Sequence, residues 1–174
     1  LETGTMQESQ SNIIFLEVET ILDDANLNTC TDELNDCSLR GAVTLATFSE
    51  AHHVIQLTHS SYGLTTTLII KGHVTLIGLE PYTTITTNST QDFTLVDAKN
   101  ANLTFYNLLI YGGRAQGPSG LVIHRSFVNI YNSRFQSNHS SGYSGAIGIV
   151  DEGTGIPSHV YIANTVFMDN RAFM

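Results

Sequence analysis

The chain has no tryptophan, and only 7 of its 174 residues are Lys or Arg, against 16 Asp or Glu. The formal charge of −9 and the lack of a basic stripe along the sequence argue against nucleic-acid binding. No run approaches the roughly 18 apolar residues that a membrane-spanning helix needs, so no membrane insertion is expected. No signal-peptide pattern opens the chain. Charged residues are scarce at 13%, while hydrophobic residues reach 41% and glycines number 14. That balance suits an all-β domain with many neutral turns, large enough to bury a continuous core.

What the chain does have is repetition. LTFYNLLI (103–110), VNIYNSRF (128–135) and VYIANTVF (160–167) share one pattern, with Asn107, Asn132 and Asn164 at the same step. A weaker copy from Val74 places Gly78 at that step. The pairs Leu103/Phe105, Val128/Ile130 and Val160/Ile162 alternate with period two, the mark of a strand with one buried face. Strand-rich repeats 25 to 32 residues apart, without helical periodicity, predict a solenoid, read here as a right-handed parallel β-helix of about four rungs. An antiparallel sandwich also holds many short strands, but gives no reason for Asn to recur at one step. Asn tolerates left-handed backbone, so it suits a sharp bend. Stacked at the strand spacing, Asn107, Asn132 and Asn164 are expected to form an amide ladder that satisfies buried backbone groups. Ile110, Phe135 and Phe167 then return the chain to the interior.

Further strands are predicted at 68–70, 93–96, 121–123 and 146–150. Loops rich in Gly, Ser and Asn separate them at 112–120, 137–145 and 151–158. Unequal loops on a constant scaffold are where binding usually resides, and Tyr143 is the aromatic anchor among them. The division expected is a lead-in over 1–12, an N-terminal cap over 13–50 and rungs over 51–174. LETGT at the start reads as a remnant of expression, outside fold reasoning. The last copy stops soon after Asn170, so the chain is expected to be an N-terminal fragment with an open final rung, a route to self-association.

In the cap, IIFLEV (13–18) predicts a strand and the stretch from Ser38 a short helix, with Leu39, Ala42, Val43 and Ala46 on one face. Ser38 is the N-cap. Cys30 and Cys37, seven apart, can close a short disulfide loop, as in exported proteins. The alternative is a pair of reduced thiols in the cytosol. Sequons at Asn88, Asn102 and Asn138 agree with secretion, and Asn88 and Asn138, in turn-like sequence, are the expected glycan carriers.

Cys37-Ser-Leu-Arg40 resembles the CSLREA-type N-terminal region of secreted parallel β-helix proteins, with Gly41 where that pattern has Glu. Phe135-Gln-Ser-Asn138 and Phe167-Met-Asp-Asn170 are similar to the FxxN repeat of chlamydial polymorphic outer-membrane proteins. Ser144-Gly145-Ala146-Ile147 is similar to their GGA[ILV] repeat, with Ser144 in place of the first Gly. The resemblance spans about residues 13–170 and implies a β-helical autotransporter passenger, displayed at the cell surface or secreted, that acts as an adhesin.

Chemistry is sparse by comparison. Asp24, Asn26 and Asn28 have the spacing of the first half of a calcium loop, but Thr29 stands where Gly is needed and Asn35 where the bidentate Glu belongs. A solvated acidic loop is the simpler reading, with calcium as the sole cofactor considered. His52, His53 and His59 show no zinc-binding spacing. A glycosidase needs two carboxylates at matching places on adjacent rungs, and the best set, Asp97, Arg125 and Asp151, alternates in sign. The expected function is therefore non-enzymatic: an adhesin whose loops meet a protein or glycan receptor on another cell. A structural stalk, and less so a polysaccharide lyase or glycosidase, are the alternatives.

Overall fold

The computed structural model describes residues 12–153 and 155–173, so the lead-in lies outside the described residues except for Asn12. The chain is mostly β, and the strands of its three sheets pair in parallel throughout. β1 (Ile13–Val18) is the strand predicted, with Leu16 and Val18 buried. α1 (Leu39–Thr47) follows, and the Ser38 hydroxyl accepts the Gly41 amide at 2.9 Å as a side-chain cap. Its inward face carries Leu39, Ala42, Val43 and Ala46. Gly41 is buried too, and a Cβ there would overlap the Leu27 carbonyl. The same carbonyl accepts the Ser38 amide at 2.9 Å, so the glycine lets the preceding loop lie flat on the helix.

The strands that follow are β2 (His52–Leu57), β3 (Ser61–Leu64), β4 (Leu68–Ile77), β5 (Thr83–Thr87) and β6 (Val96–Tyr106). Next come β7 (Leu108–Tyr111), β8 (Arg114–Ala115), β9 (Leu121–His124), β10 (Phe127–Tyr131), β11 (Arg134–Gln136) and β12 (His139–Ser140). The last are β13 (Ile147–Val150), β14 (His159–Ala163), β15 (Val166–Met168) and β16 (Arg171–Ala172). One sheet runs β1-β2-β4-β6-β10-β14, with β9 joining β6 to β13. A second runs β15-β11-β7-β5-β3 and a third β16-β12-β8. Successive stretches of chain add strands to the first and second sheets in turn, and from β8 onward to the third as well. The predicted strands at 121–123 and 146–150 fall in β9 and β13, and 68–70 opens the longer β4. The one expected at 93–96 begins only at Val96, and Phe93 makes an isolated antiparallel bridge to Arg114.

Register stacks like with like. Ile55, Leu76, Phe105 and Ile130 form one inward column, all fully buried, and Tyr62, Ile85, Ile110 and Phe135 form another on the second sheet. Ile162 and Phe167 continue these columns on β14 and β15, the outermost strands, where they are 42% and 46% exposed. Each column is an apolar file parallel to the stacking direction, so burial grows with every strand added.

The bends are also in register. Asn107, Asn132 and Asn164 all have positive φ (55°, 47° and 51°). Gly78 pairs at the same step without it. A second set, Gly112, Ser137 and Asp169 (75°, 55° and 55°), repeats at the same 25- and 32-residue intervals. Left-handed backbone costs non-glycine residues roughly 1–2 kcal/mol, least for Asn and Asp, which explains the residue choice at most of these bends.

Candidate binding surface

Asn107, Asn132 and Asn164 do turn the chain, but they do not hold its interior. Asn132 is exposed, and its one side-chain bond in the series is from Asn164 Nδ2 at 3.3 Å. The expectation that these residues satisfy buried backbone groups is corrected: the left-handed bend points their side chains outward. The interior role belongs to the asparagines of the FxxN segments. Asn138 is fully buried; its Oδ1 accepts the Gly113 amide and its Nδ2 donates to the Ile110 carbonyl, both at 3.0 Å. Asn170 repeats the arrangement one step later. Its Oδ1 accepts the Asn138 backbone amide and Nδ2 at 3.1 and 3.0 Å, and its Nδ2 donates to the Phe135 carbonyl at 2.9 Å. Each amide clamps the bend of the preceding segment, directly after the left-handed Ser137 or Asp169. Phe135 and Phe167 stack beside it with ring centroids 5.3 Å apart.

Burial of Asn138 also bears on the sequons. Its amide is committed on every side, so the folded chain does not present this acceptor, whereas Asn88 and Asn102 are exposed. The accessible pair is therefore Asn88 and Asn102, not Asn88 and Asn138.

Ser144-Gly145-Ala146 lies alongside Ser119-Gly120-Leu121, joined by backbone bonds of 3.2, 3.2 and 2.9 Å. A Cβ on Gly120 would overlap the Ala146 carbonyl, and one on Gly145 would press on backbone atoms of Asn138 and Arg171. These glycines allow neighbouring segments to touch backbone to backbone. Ile147, the last residue of the motif, starts β13. The loops at 112–120 and 137–145 are thereby tied together, with further bonds from Ser140 Oγ to the Gln116 carbonyl and from the Ser141 amide to the Ala115 carbonyl. Tyr143 stands out from them, 83% exposed, over a hollow of about 580 Å³ bounded by Gln116, Ser141, Gly142 and Phe173. The third loop, at 151–158, borders a smaller hollow with Ile156 exposed.

Cys30 and Cys37 are disulfide-bonded and close the cap loop beside α1. Ahead of that loop, Asp23 is the structural carboxylate of the cap. It takes Arg40 Nε at 2.6 Å and Nη2 at 3.0 Å, and the Thr65 amide and hydroxyl at 2.6 and 2.7 Å. Burial pushes its carboxyl up, but the bonds from Arg40 and Thr65 outweigh that and hold it below the usual carboxylate range. Arg40 also donates to the Thr66 and Thr67 carbonyls, clipping the helix to the β3–β4 turn. Asp36 is likewise held low by bonds from Thr31. Of the calcium candidates, Asp24 Oδ1 is taken by the Asn26 amide and side chain at 2.9 and 3.0 Å, and Asn28 bridges to Cys37 through the backbone. Among the described residues no three His, Cys, Asp or Glu are grouped as for a metal ion. His53 is buried, His52 stacks on His73 at 3.8 Å, and burial pushes both His52 and His53 down.

The acidic and basic row expected at Asp97, Arg125 and Asp151 assembles differently. Asp97 lies 3.1 Å from Lys99 and 3.6 Å from His124; His124 and Arg125 each reach Glu152 at 3.1 Å. Asp151 is outside this network and caps the Gly153 amide. The carboxylates of Asp97 and Glu152 are engaged by Lys99, His124 and Arg125 rather than facing a common space.

Two surfaces escaped the sequence reading because they exist only in register. On the first sheet, Tyr106 and Tyr131 stack at 4.9 Å, Phe127 and His159 at 4.8 Å, and Tyr161 borders Tyr131. On the corner between the second and third sheets, Thr86, Tyr111, Arg114, Ser137 and His139 line a groove of about 730 Å³, faced by Gln91 and Asp92. Comparison of the chain with known families, curated proteins and solved structures finds no match.

Proposed function

We propose that this chain is a right-handed parallel β-helix of about four rungs, the passenger-like part of a secreted or surface-displayed adhesin. On this reading the loops that project from the coil bind a protein or glycan receptor on another cell, without catalysis. Three parallel sheets fed in rotation, and bends that recur at matched intervals, are what such a coil requires. The similarity to chlamydial polymorphic outer-membrane proteins gains a physical basis from the motif residues. FxxN supplies the buried clamp and the near-GGAI segment the close backbone contact. The observation that carries the binding role is Tyr143, a large aromatic left almost bare on a loop whose backbone is anchored at both flanks. Rigid, exposed aromatics beside a hollow are typical binding anchors. The engagement of Asp97 and Glu152 by Lys99, His124 and Arg125 supports a non-enzymatic reading over a glycosidase.

Binding of the labelled chain to a panel of cells, read by flow cytometry, tests the reading. Tyr143→Ala should weaken binding about tenfold or more, the effect of losing a hot-spot aromatic. Failure to bind any cell type, together with release of reducing ends from a polysaccharide, would overturn it.

A further inference from the structure

The chain carries few cations, and the fold lines up two of its arginines. Arg114 on β8 pairs in register with His139 on β12, and His139 with Arg171 on β16. The neighbours Ala115, Ser140 and Ala172 alternate with them, and Ala115 and Ser140 are buried, so the three larger side chains share the outer face of the third sheet. Adjacent strands stand about 4.8 Å apart, which gives a file of three nitrogen-bearing groups along the stacking direction. The ion pairs among the described residues use Arg40, Lys99, His124 and Arg125, and none involves Arg114, His139 or Arg171. Asp92 and Asp169 are the nearest acidic residues in the groove and at the bend, and neither forms an ion pair with the file.

On a molecule of net charge −9, two arginines that form no ion pair among the described residues, beside a groove with Asp92 as its one acidic lining residue, are a place where an anion is attracted against the general field. The groove has the rest of what a sugar needs. Thr86 and Ser137 put hydroxyls on its walls, and Tyr111, 42% exposed, offers a ring at its floor. Arg114 and His139 are part of the lining, and Arg171 extends the file beyond it.

We infer that the corner groove and the Arg114–His139–Arg171 file form a binding site for an acidic glycan chain. Its sugar rings lie over Tyr111 and its carboxylates or sulfates meet the two guanidinium groups. Arginine is suited to this because its planar fork takes a carboxylate or sulfate with two parallel bonds. A chain running along the stacking direction meets one arginine on β8 and another on β16, two strands further on, so affinity rises with the length of the oligosaccharide. The site adjoins the Tyr143 hollow, which Gln116, Ser141 and Phe173 border two residues beyond Arg114, His139 and Arg171, and it rests on the glycan-binding reading proposed above.

The test is calorimetric titration at low ionic strength with a heparin hexasaccharide, a polygalacturonate hexasaccharide, neutral maltohexaose and hexaglutamate. One or both acidic sugars should bind, with affinity that falls as salt is added. The sulfated and uronate arms identify which anion is preferred. Arg114→Ala and Arg171→Ala should each weaken binding about tenfold, the loss of a charge-assisted contact, while Arg114→Lys should recover part of it. Lys71→Ala, which removes an exposed cation elsewhere, should bind as the parent does. Circular dichroism of each variant confirms that the sheets are kept. Equal binding of maltohexaose, tighter binding of hexaglutamate than of either acidic sugar, no binding at all, or unchanged affinity of both alanine variants would overturn the inference.

Discussion

Asn138 and Asn132 offer a sharp contrast, since both are asparagines at recurring steps and only one is buried. Truncating Asn138 to alanine removes bonds to the Gly113 amide and the Ile110 carbonyl, and leaves both groups without that partner inside the protein. Asn170 Oδ1 loses one donor but keeps the Asn138 backbone amide. A buried backbone group left unpaired costs about 1–3 kcal/mol, so two of them with partial relaxation cost about 3 kcal/mol. That is a large part of the stability of a domain this size, which is typically about 5–15 kcal/mol. Asn132→Ala loses a single long bond at an exposed site, and its main penalty is an alanine held at φ 47°. That costs about 1 kcal/mol. Glycine separates the two mechanisms. Asn132→Gly should be within about 0.5 kcal/mol of the parent, because the bend is all that the position requires. Asn138→Gly should be at least as damaging as alanine, because its backbone is not left-handed and the missing amide is the whole effect. Urea unfolding of the four variants gives these differences, and amide exchange at Gly113 should accelerate in Asn138→Ala alone. A cost below about 0.5 kcal/mol for Asn138→Ala, or a rescue by Asn138→Gly, would refute the clamp.

Gly41→Ala should destabilise by about 1–3 kcal/mol despite the better helix propensity of alanine, because the added methyl meets the Leu27 backbone rather than a yielding side chain; a gain in thermal midpoint would show that the loop moves away freely. Stability should fall with acid in two ranges. His52 and His53 are held below their ordinary value, so their contribution is present above about pH 6.5 and is lost as pH falls through their lowered values. Asp23 is also held low, so its contribution is present above about pH 4 and is lost as pH drops through its own lowered value. Urea midpoints from pH 7.5 downward should show both declines, and in Asp23→Asn, already less stable at neutral pH, the lower one should shrink to the part that Asp36 contributes.

Much of the fold was legible because it is local or periodic. Alternation in Leu103/Phe105 and Val128/Ile130 marks strands, and the apolar face of Leu39, Ala42, Val43 and Ala46 marks a helix. Ser38 and the Cys30–Cys37 loop could be read from a few neighbouring residues. The two-residue strands β8, β12 and β16 could not, since two residues carry no period. Which set of asparagines packs inward is hidden for a similar reason, although the Asn132–Asn164 amide contact does form. Both Asn sets recur at the same intervals, and the sequence does not reveal which side of a left-handed residue faces inward. Asp151 and Glu152 are adjacent in sequence, and only the folded loop shows that Glu152 meets His124 and Arg125 while Asp151 takes the Gly153 amide.

The surfaces with most chemical character are made between segments rather than within them. Arg114, His139 and Arg171 are separated by 25 and 32 residues, the same intervals that divide Asn107, Asn132 and Asn164. No window along the chain contains two of the three, so the sequence read linearly shows no basic stripe. Parallel register converts the repeat interval into adjacency, and whatever residue type occupies a given step becomes a file on the surface. The same conversion produces the aromatic stacks of Tyr106 on Tyr131 and of Phe127 on His159. It follows that strand register, rather than the length of the interval, sets the site. Removing residues from the 151–158 loop while keeping β13 and β14 leaves the file intact. Shifting β12 by one residue would turn His139 inward and break the line between the two arginines.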